Sequence, residues 1–63
     1  MADAARLKLN ITMAEGSLRT LDRMIALARK AGECECRIKR LHDNRRDVQR
    51  MRDDWVRQLR EEA

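Results

Sequence analysis

Proline is absent from this sequence of 63 residues, as are tyrosine and phenylalanine, and only two glycines and one tryptophan occur. Without proline the strongest helix breaker is missing, and strong helix formers dominate the remaining residues. The composition therefore predicts an all-α protein. No hydrophobic run approaches the length that crosses a bilayer, and residues 1–16 lack the apolar segment of a secretion signal. We expect a cytoplasmic protein with reduced thiols and no membrane contact.

Cysteine occurs only as Cys34 and Cys36. Two cysteines so close in sequence cannot join distant elements, so no disulfide compensates for the small core of such a short chain. Their spacing differs from the Cys-x-x-Cys redox motif, and the second ligand pair of a zinc site is missing. On a helix the two thiols would point about 200° apart. We therefore expect no metal, with Cys34 a small core residue and Cys36 an exposed thiol.

Residue patterns of catalysis are also scarce. The one histidine, His42, lies on the flank of an amphipathic segment, and no glycine-rich phosphate loop occurs. A chain of this length is too short to enclose a sheltered cleft around a nucleophile and its base. We therefore expect no enzymatic activity and no cofactor.

Apolar residues in the first half recur every three or four positions, which predicts a helix that packs along a seam. A second apolar row runs through Leu9, Met13, Met24, Leu27 and Ala31 on an adjacent sector of the same helix. One neighbouring helix covers only one row, so the second row predicts a further neighbour. The seam consists of Leu7, Ile11, Ala14, Leu18, Leu21, Ile25 and Ala28.

Gly16 lies in the middle of the second row, next to Thr20. Either a partner backbone approaches closely at this glycine, or the glycine merely weakens an exposed turn. Thr12 and Glu15 also fit a capping box, which would divide the helix in two. We favour one helix from about residue 3 to residue 30.

The second half has one apolar face that is interrupted by Arg45 and Arg52. These arginines could set the register of a helix assembly, await a carboxylate on another protein, or extend their heads into water. The apolar positions are Cys34, Ile38, Leu41, Val48, Met51, Trp55, Val56 and Leu59.

Residues 29–35 have the order of charges expected where one helix ends and the next begins. Arg29 and Lys30 suit a helix C-terminus, Gly32 suits the left-handed residue after it, and Glu33 and Glu35 suit the next N-terminus. We predict a single domain, an antiparallel helical hairpin with a turn at about 31–33 and a second helix at about 34–61. One continuous helix in a parallel coiled coil is the alternative. The second row predicts that the hairpin forms a homodimer, a four-helix bundle.

The sequence contains fifteen Lys and Arg residues and eleven Asp and Glu residues, so the net charge is +4. The preference for arginine is typical of a GC-rich bacterial or phage genome. We predict a small protein-binding module, a regulator, adaptor or inhibitor that docks on a larger protein partner. The residues predicted to contact it are Met13, Met24, Leu27, Arg45, Arg52 and Trp55.

The second half is basic enough to suggest another function. Its arginines could neutralise phosphates, so a nucleic-acid-binding regulator of RNA or DNA is the alternative hypothesis. The residues that would serve it are Arg37, Lys39, Arg40, Arg45, Arg46 and Arg50.

Overall fold

A computed structural model describes residues 3–62, which form two α-helices joined by a short corner. Helix α1 is Ala4–Lys30 and helix α2 is Glu35–Glu62. The helices pack antiparallel against each other in a hairpin that measures 45 × 15 × 12 Å. The predicted hairpin is confirmed, and the alternative of one continuous helix is wrong. Neither α1 nor α2 is long and apolar enough to span a bilayer.

Helix α1 begins at a capped turn and continues through its glycine. The carboxylate of Asp3 accepts a hydrogen bond from the N–H of Ala5 at 3.1 Å. The Thr12 hydroxyl donates to the Lys8 carbonyl at 3.0 Å, so Thr12 caps nothing and the proposed division of the helix is wrong. A Cβ added to Gly16 would lie 3.8 Å from its nearest neighbour, the guanidinium of Arg19. Within one hairpin, therefore, no close approach explains this glycine.

The corner is a Schellman motif. Gly32 has φ 70°, the left-handed conformation that suits glycine. The N–H of Glu33 donates to the Ala28 carbonyl at 3.0 Å, and the N–H of Gly32 donates to the Arg29 carbonyl at 3.1 Å. These two bonds satisfy carbonyls at the end of α1 and reverse the chain sharply. The predicted role of Gly32 is confirmed.

Cys34 is the residue that precedes α2, and its carbonyl accepts hydrogen bonds from the N–H groups of Arg37 and Ile38 at 3.1 and 3.2 Å. Its side chain is exposed, so the core position predicted for Cys34 is wrong. The physical reason is that the helix starts after Cys34, which places this side chain in the corner and not on the packed face. Cys36 is exposed, as predicted.

The core is a thin line of side chains between the two helices. The predicted seam of α1 is confirmed, since each of its members is buried or half-buried. No described side chain is less than 2% exposed, because two helices alone cannot enclose one completely. The buried hydrophobic residues are Leu7, Ala14, Leu18, Ile25, Ala28, Ile38 and Leu41.

Packing is densest near the corner, where Ile25, Ala28, Ile38 and Leu41 form one cluster. Toward the open end, the packed face of α2 supplies only half-buried residues, Val48, Trp55, Val56 and Leu59. Met51 was predicted to lie on the packed face of α2. It lies at the edge of that face, and 50% of its surface is exposed. The corner cluster therefore holds the hairpin closed.

Replacing Leu41 with alanine should destabilise the hairpin by about 2–4 kcal/mol, because it removes a large side chain from the cluster to which both helices contribute buried residues. Urea unfolding followed by circular dichroism measures the loss. The adjacent and exposed Arg40→Ala is the control, with an expected change below about 0.5 kcal/mol. Equal effects of the two substitutions would show that the cluster does not hold the fold.

Candidate protein-binding surface

Helix α1 presents a second line of side chains away from the core, which we call the exposed row. Leu9, Met13 and Leu27 keep 59%, 63% and 58% of their surface in water, and Met24 keeps 39%. The structure thus leaves open the side chains for which the sequence predicted a second neighbour. The exposed row consists of Leu9, Met13, Thr20, Met24 and Leu27, with the half-buried Gly16 between them.

The exposed row from Met13 to Leu27 forms one wall of a groove that runs along one face of the hairpin, and Leu9 lies just beyond it. Residues of α2 form the other wall: Leu41, Val48, Met51 and Trp55. Its lining is mostly apolar, but Glu33 and Arg37 lie at the corner end, and its centre contains Ser17, Asn44 and Asp47. The groove is open along its length, so it suits a helix or another elongated protein surface and not an enclosed small molecule.

Covering this groove would release a substantial free energy. About half of each of the five large exposed side chains, the four of the row and Met51, lies in water. At about 2 kcal/mol for the full burial of one such side chain, covering all five contributes about 5 kcal/mol per hairpin. That value is comparable with the whole stability of a small domain.

The opposite face of the hairpin is closed by ion pairs between the helices. Arg45 Nε donates to Asp22 Oδ1 at 2.6 Å, and Arg52 Nη2 donates to Glu15 Oε2 at 3.3 Å. The two pairs are spaced by seven residues on each helix, so they fit only one antiparallel register. Both arginines therefore have carboxylate partners on α1 of the same chain, and their role in the register of a helix assembly stays a prediction. Their predicted contact with another protein stays a prediction.

His42 adds a third polar contact on this closed face. Arg29 Nη2 donates to His42 Nε2 at 3.0 Å, which bridges the helices near the corner. This histidine therefore has a structural partner on α1. Among residues 3–62 no group of three or more His, Cys, Asp or Glu side chains is placed to hold a metal ion.

Most of the basic residues predicted for nucleic acid already have acidic neighbours. Arg37 pairs with Glu33 at 2.9 Å, and Asp43 accepts from both Lys39 and Arg46, at 3.0 and 3.2 Å. The hydrogen bond from Lys39 is the main reason that the pKa of the Asp43 carboxyl lies below its ordinary value. Less free positive charge remains on α2 than its sequence indicates.

Two other basic candidates differ from these. Arg40 and Arg50 are exposed and have no acidic group within 4.0 Å among residues 3–62. They lie ten residues apart, so about 15 Å of helix separates them. Two isolated charges do not make the continuous basic stripe that tracks a phosphate backbone.

The two thiols lie side by side at the start of α2. The interaction between them links their pKa values, and because Cys34 lies outside the helix, the separation of about 200° expected for two residues of one helix does not apply. The Cys36 thiol donates to Cys34 sulfur and thereby lowers the pKa of Cys34, and the N–H of Arg37 lowers it further. The same bond and the charge on Cys34 raise the pKa of Cys36. Cys34 is therefore the more readily ionised thiol.

Alkylation should reveal this difference. Near pH 8, Cys34 should react with iodoacetamide faster than Cys36, because the thiolate is the nucleophile and Cys34 has the lower pKa. Peptide mass spectrometry over a pH series gives both rates. Cys36→Ala removes the donor and should raise the pKa of Cys34, whereas Cys34→Ala should lower the pKa of Cys36. Identical pH profiles for the two thiols would contradict the assignment.

The ion pair between Arg45 and Asp22 can be tested against an unpaired arginine. Arg45→Met should lower the free energy of unfolding by less than about 1 kcal/mol at low salt, since both side chains are partly exposed. The loss should shrink in 1 M salt, where the Debye length is about 3 Å. Arg50→Met is the matched control and should change little. A loss that is independent of salt and of Asp22→Asn would show that the pair does not act as an ion pair.

No protein-family model matches this chain, and no curated protein or solved structure matches it. The geometry of the groove and of the closed face is therefore the basis of the function proposed below.

Proposed function

We propose that this protein is a non-enzymatic protein-binding module that acts by apolar contact between helices. The hairpin self-associates through the groove and, as a homodimer, docks on a larger protein as a regulator, adaptor or inhibitor. The observation that carries the proposal is the long apolar groove beside a core of only seven buried hydrophobic residues. Met13, Met24 and Leu27 line one of its walls, and Trp55 lies at its open end.

The small core is the physical reason for self-association. A lone hairpin of this length buries too little apolar surface to be more than marginally stable. A second hairpin on the groove would cover the exposed row and enlarge the core at the same time. Stability would then rise with protein concentration.

Two observations favour protein over nucleic acid as the partner. Most of the groove lining is apolar, and methionine side chains adapt to partner surfaces of different shape. Of the six basic residues considered for nucleic acid, only Arg40 and Arg50 lack an ion pair among the described residues. We place this activity in the cytoplasm, where the two exposed thiols would stay reduced.

Leu27→Lys and Ala26→Lys form a matched pair of variants that tests self-association. Both positions are exposed on α1, but only Leu27 belongs to the exposed row. Light scattering on a sizing column should give wild type and Ala26→Lys about twice the chain mass of 7.5 kDa. Leu27→Lys should elute as a helical monomer, because it places a charge in the apolar contact. A wild-type protein that is monomeric and fully helical would refute self-association.

Binding assays distinguish the two functional hypotheses. Capture of one specific protein from the native host by wild type and Ala26→Lys, and its loss with Met13→Lys, would support the module. Tight binding of duplex DNA or structured RNA that weakens steeply with salt would support the alternative. That alternative also requires the binding to be lost when Arg45, Arg46 and Arg50 are replaced together.

A further inference from the structure

We infer that the groove is occupied by a second copy of this chain, which runs antiparallel to the first about a twofold axis near Leu18 of α1. This inference rests on the proposed self-association and specifies its geometry. Three observations support it: the order of side chains along the exposed row, the uneven charge of the hairpin, and the size of the grooved face.

The exposed row reads nearly the same in both directions. Leu9 and Leu27 each lie nine residues from Leu18, Met13 lies five residues before it and Met24 six residues after it. Gly16 and Thr20 lie two residues on either side. Leu18 is one residue from the middle of α1. A twofold axis at this level therefore keeps the two helices in contact over their full length.

Such an axis pairs large side chains at the ends and small ones at the centre. Leu9 of one copy meets Leu27 of the other, and Met13 meets Met24. Gly16 then faces Thr20 of the second copy, where the two backbones approach most closely. This explains a glycine whose added Cβ would meet nothing closer than 3.8 Å within its own hairpin. An interface of this kind is isologous, as in most homodimers.

A parallel dimer would match identical side chains equally well, but charge opposes it. Residues 19–49 form the half nearest the corner and contain nine Lys or Arg and five Asp or Glu, a net charge of +4. The other half contains six of each, a net charge of zero. A parallel dimer would place two halves of charge +4 side by side. The antiparallel dimer places each charged half beside a neutral one.

The grooved face is large enough for a stable dimer. The two longer dimensions of the hairpin, 45 and 15 Å, correspond to about 700 Å² in projection. Standard interfaces bury about 800 Å² per partner.

The antiparallel arrangement has a consequence at the corners. Cys34 and Cys36 of the two copies lie at opposite ends of a bundle about 45 Å long. Thiols that far apart cannot form a disulfide between the copies, nor can they share a metal site.

Engineered disulfides test this geometry in a Cys34→Ser, Cys36→Ser background. The variant Met13→Cys with Met24→Cys should oxidise to a covalent dimer, whereas each single substitution should not. Within one chain these positions are eleven residues, or about 16 Å, apart, beyond the reach of a disulfide. Thr12→Cys with Arg23→Cys, on the polar side of α1, is the matched control and should not cross-link.

A spin label on Cys36 of the Cys34→Ser protein gives a second measurement that leaves the groove unchanged. Pulsed electron resonance should find about 40 Å between the labels of two copies, set by the length of the hairpin. A distance below about 20 Å, or cross-linking of Met13→Cys alone, would indicate a parallel dimer and overturn the inference, but not the proposed function. A dimer in which the double variant never cross-links would overturn it too. A monomeric wild type would overturn both.

Discussion

The cluster of Ile25, Ala28, Ile38 and Leu41 is the contact on which the rest of the hairpin depends. It forms beside the Schellman motif at Gly32, so the turn and the cluster hold the two helices together at the same end. From there α1 continues to supply buried side chains as far as Leu7, whereas the packed face of α2 supplies only half-buried ones. A hairpin whose second helix is only half-buried over much of its length gains apolar burial from any surface that covers it.

The two faces of the hairpin differ in what they contribute: one favours the register of the helices, and the other offers apolar surface for association. On the closed face, ion pairs of Asp22 and Glu15 with Arg45 and Arg52 favour one register, although exposed pairs of this kind contribute little to stability. On the other face, the groove leaves large apolar side chains in water and so carries most of the free energy available for association. The arginines thus have partners within the hairpin, whereas the methionines and leucines of the exposed row have none there and carry the proposed interactions.

Several features were predictable from the pattern of residues because they depend on local geometry. The period of the seam, the left-handed role of Gly32 and the exposed row all follow from helix periodicity and from the polarity of helix ends. Cys34 was misplaced for a local reason as well. A shift of the helix start past this one residue turns it from a member of the packed face into a residue of the corner, where its thiol contacts that of Cys36.

The sequence by itself determined that this protein is helical, that it turns at Gly32 and that α1 is apolar in two directions, because each of these is encoded within a few turns of one helix. Only the tertiary structure decided which side chains the first neighbour covers and which it leaves in water. It also decided the partners of Arg45 and Arg52, since residues more than twenty positions apart meet only when two helices adopt one register. The groove also depends on the tertiary structure, because its two walls come from different helices and form a groove only when the helices pack together.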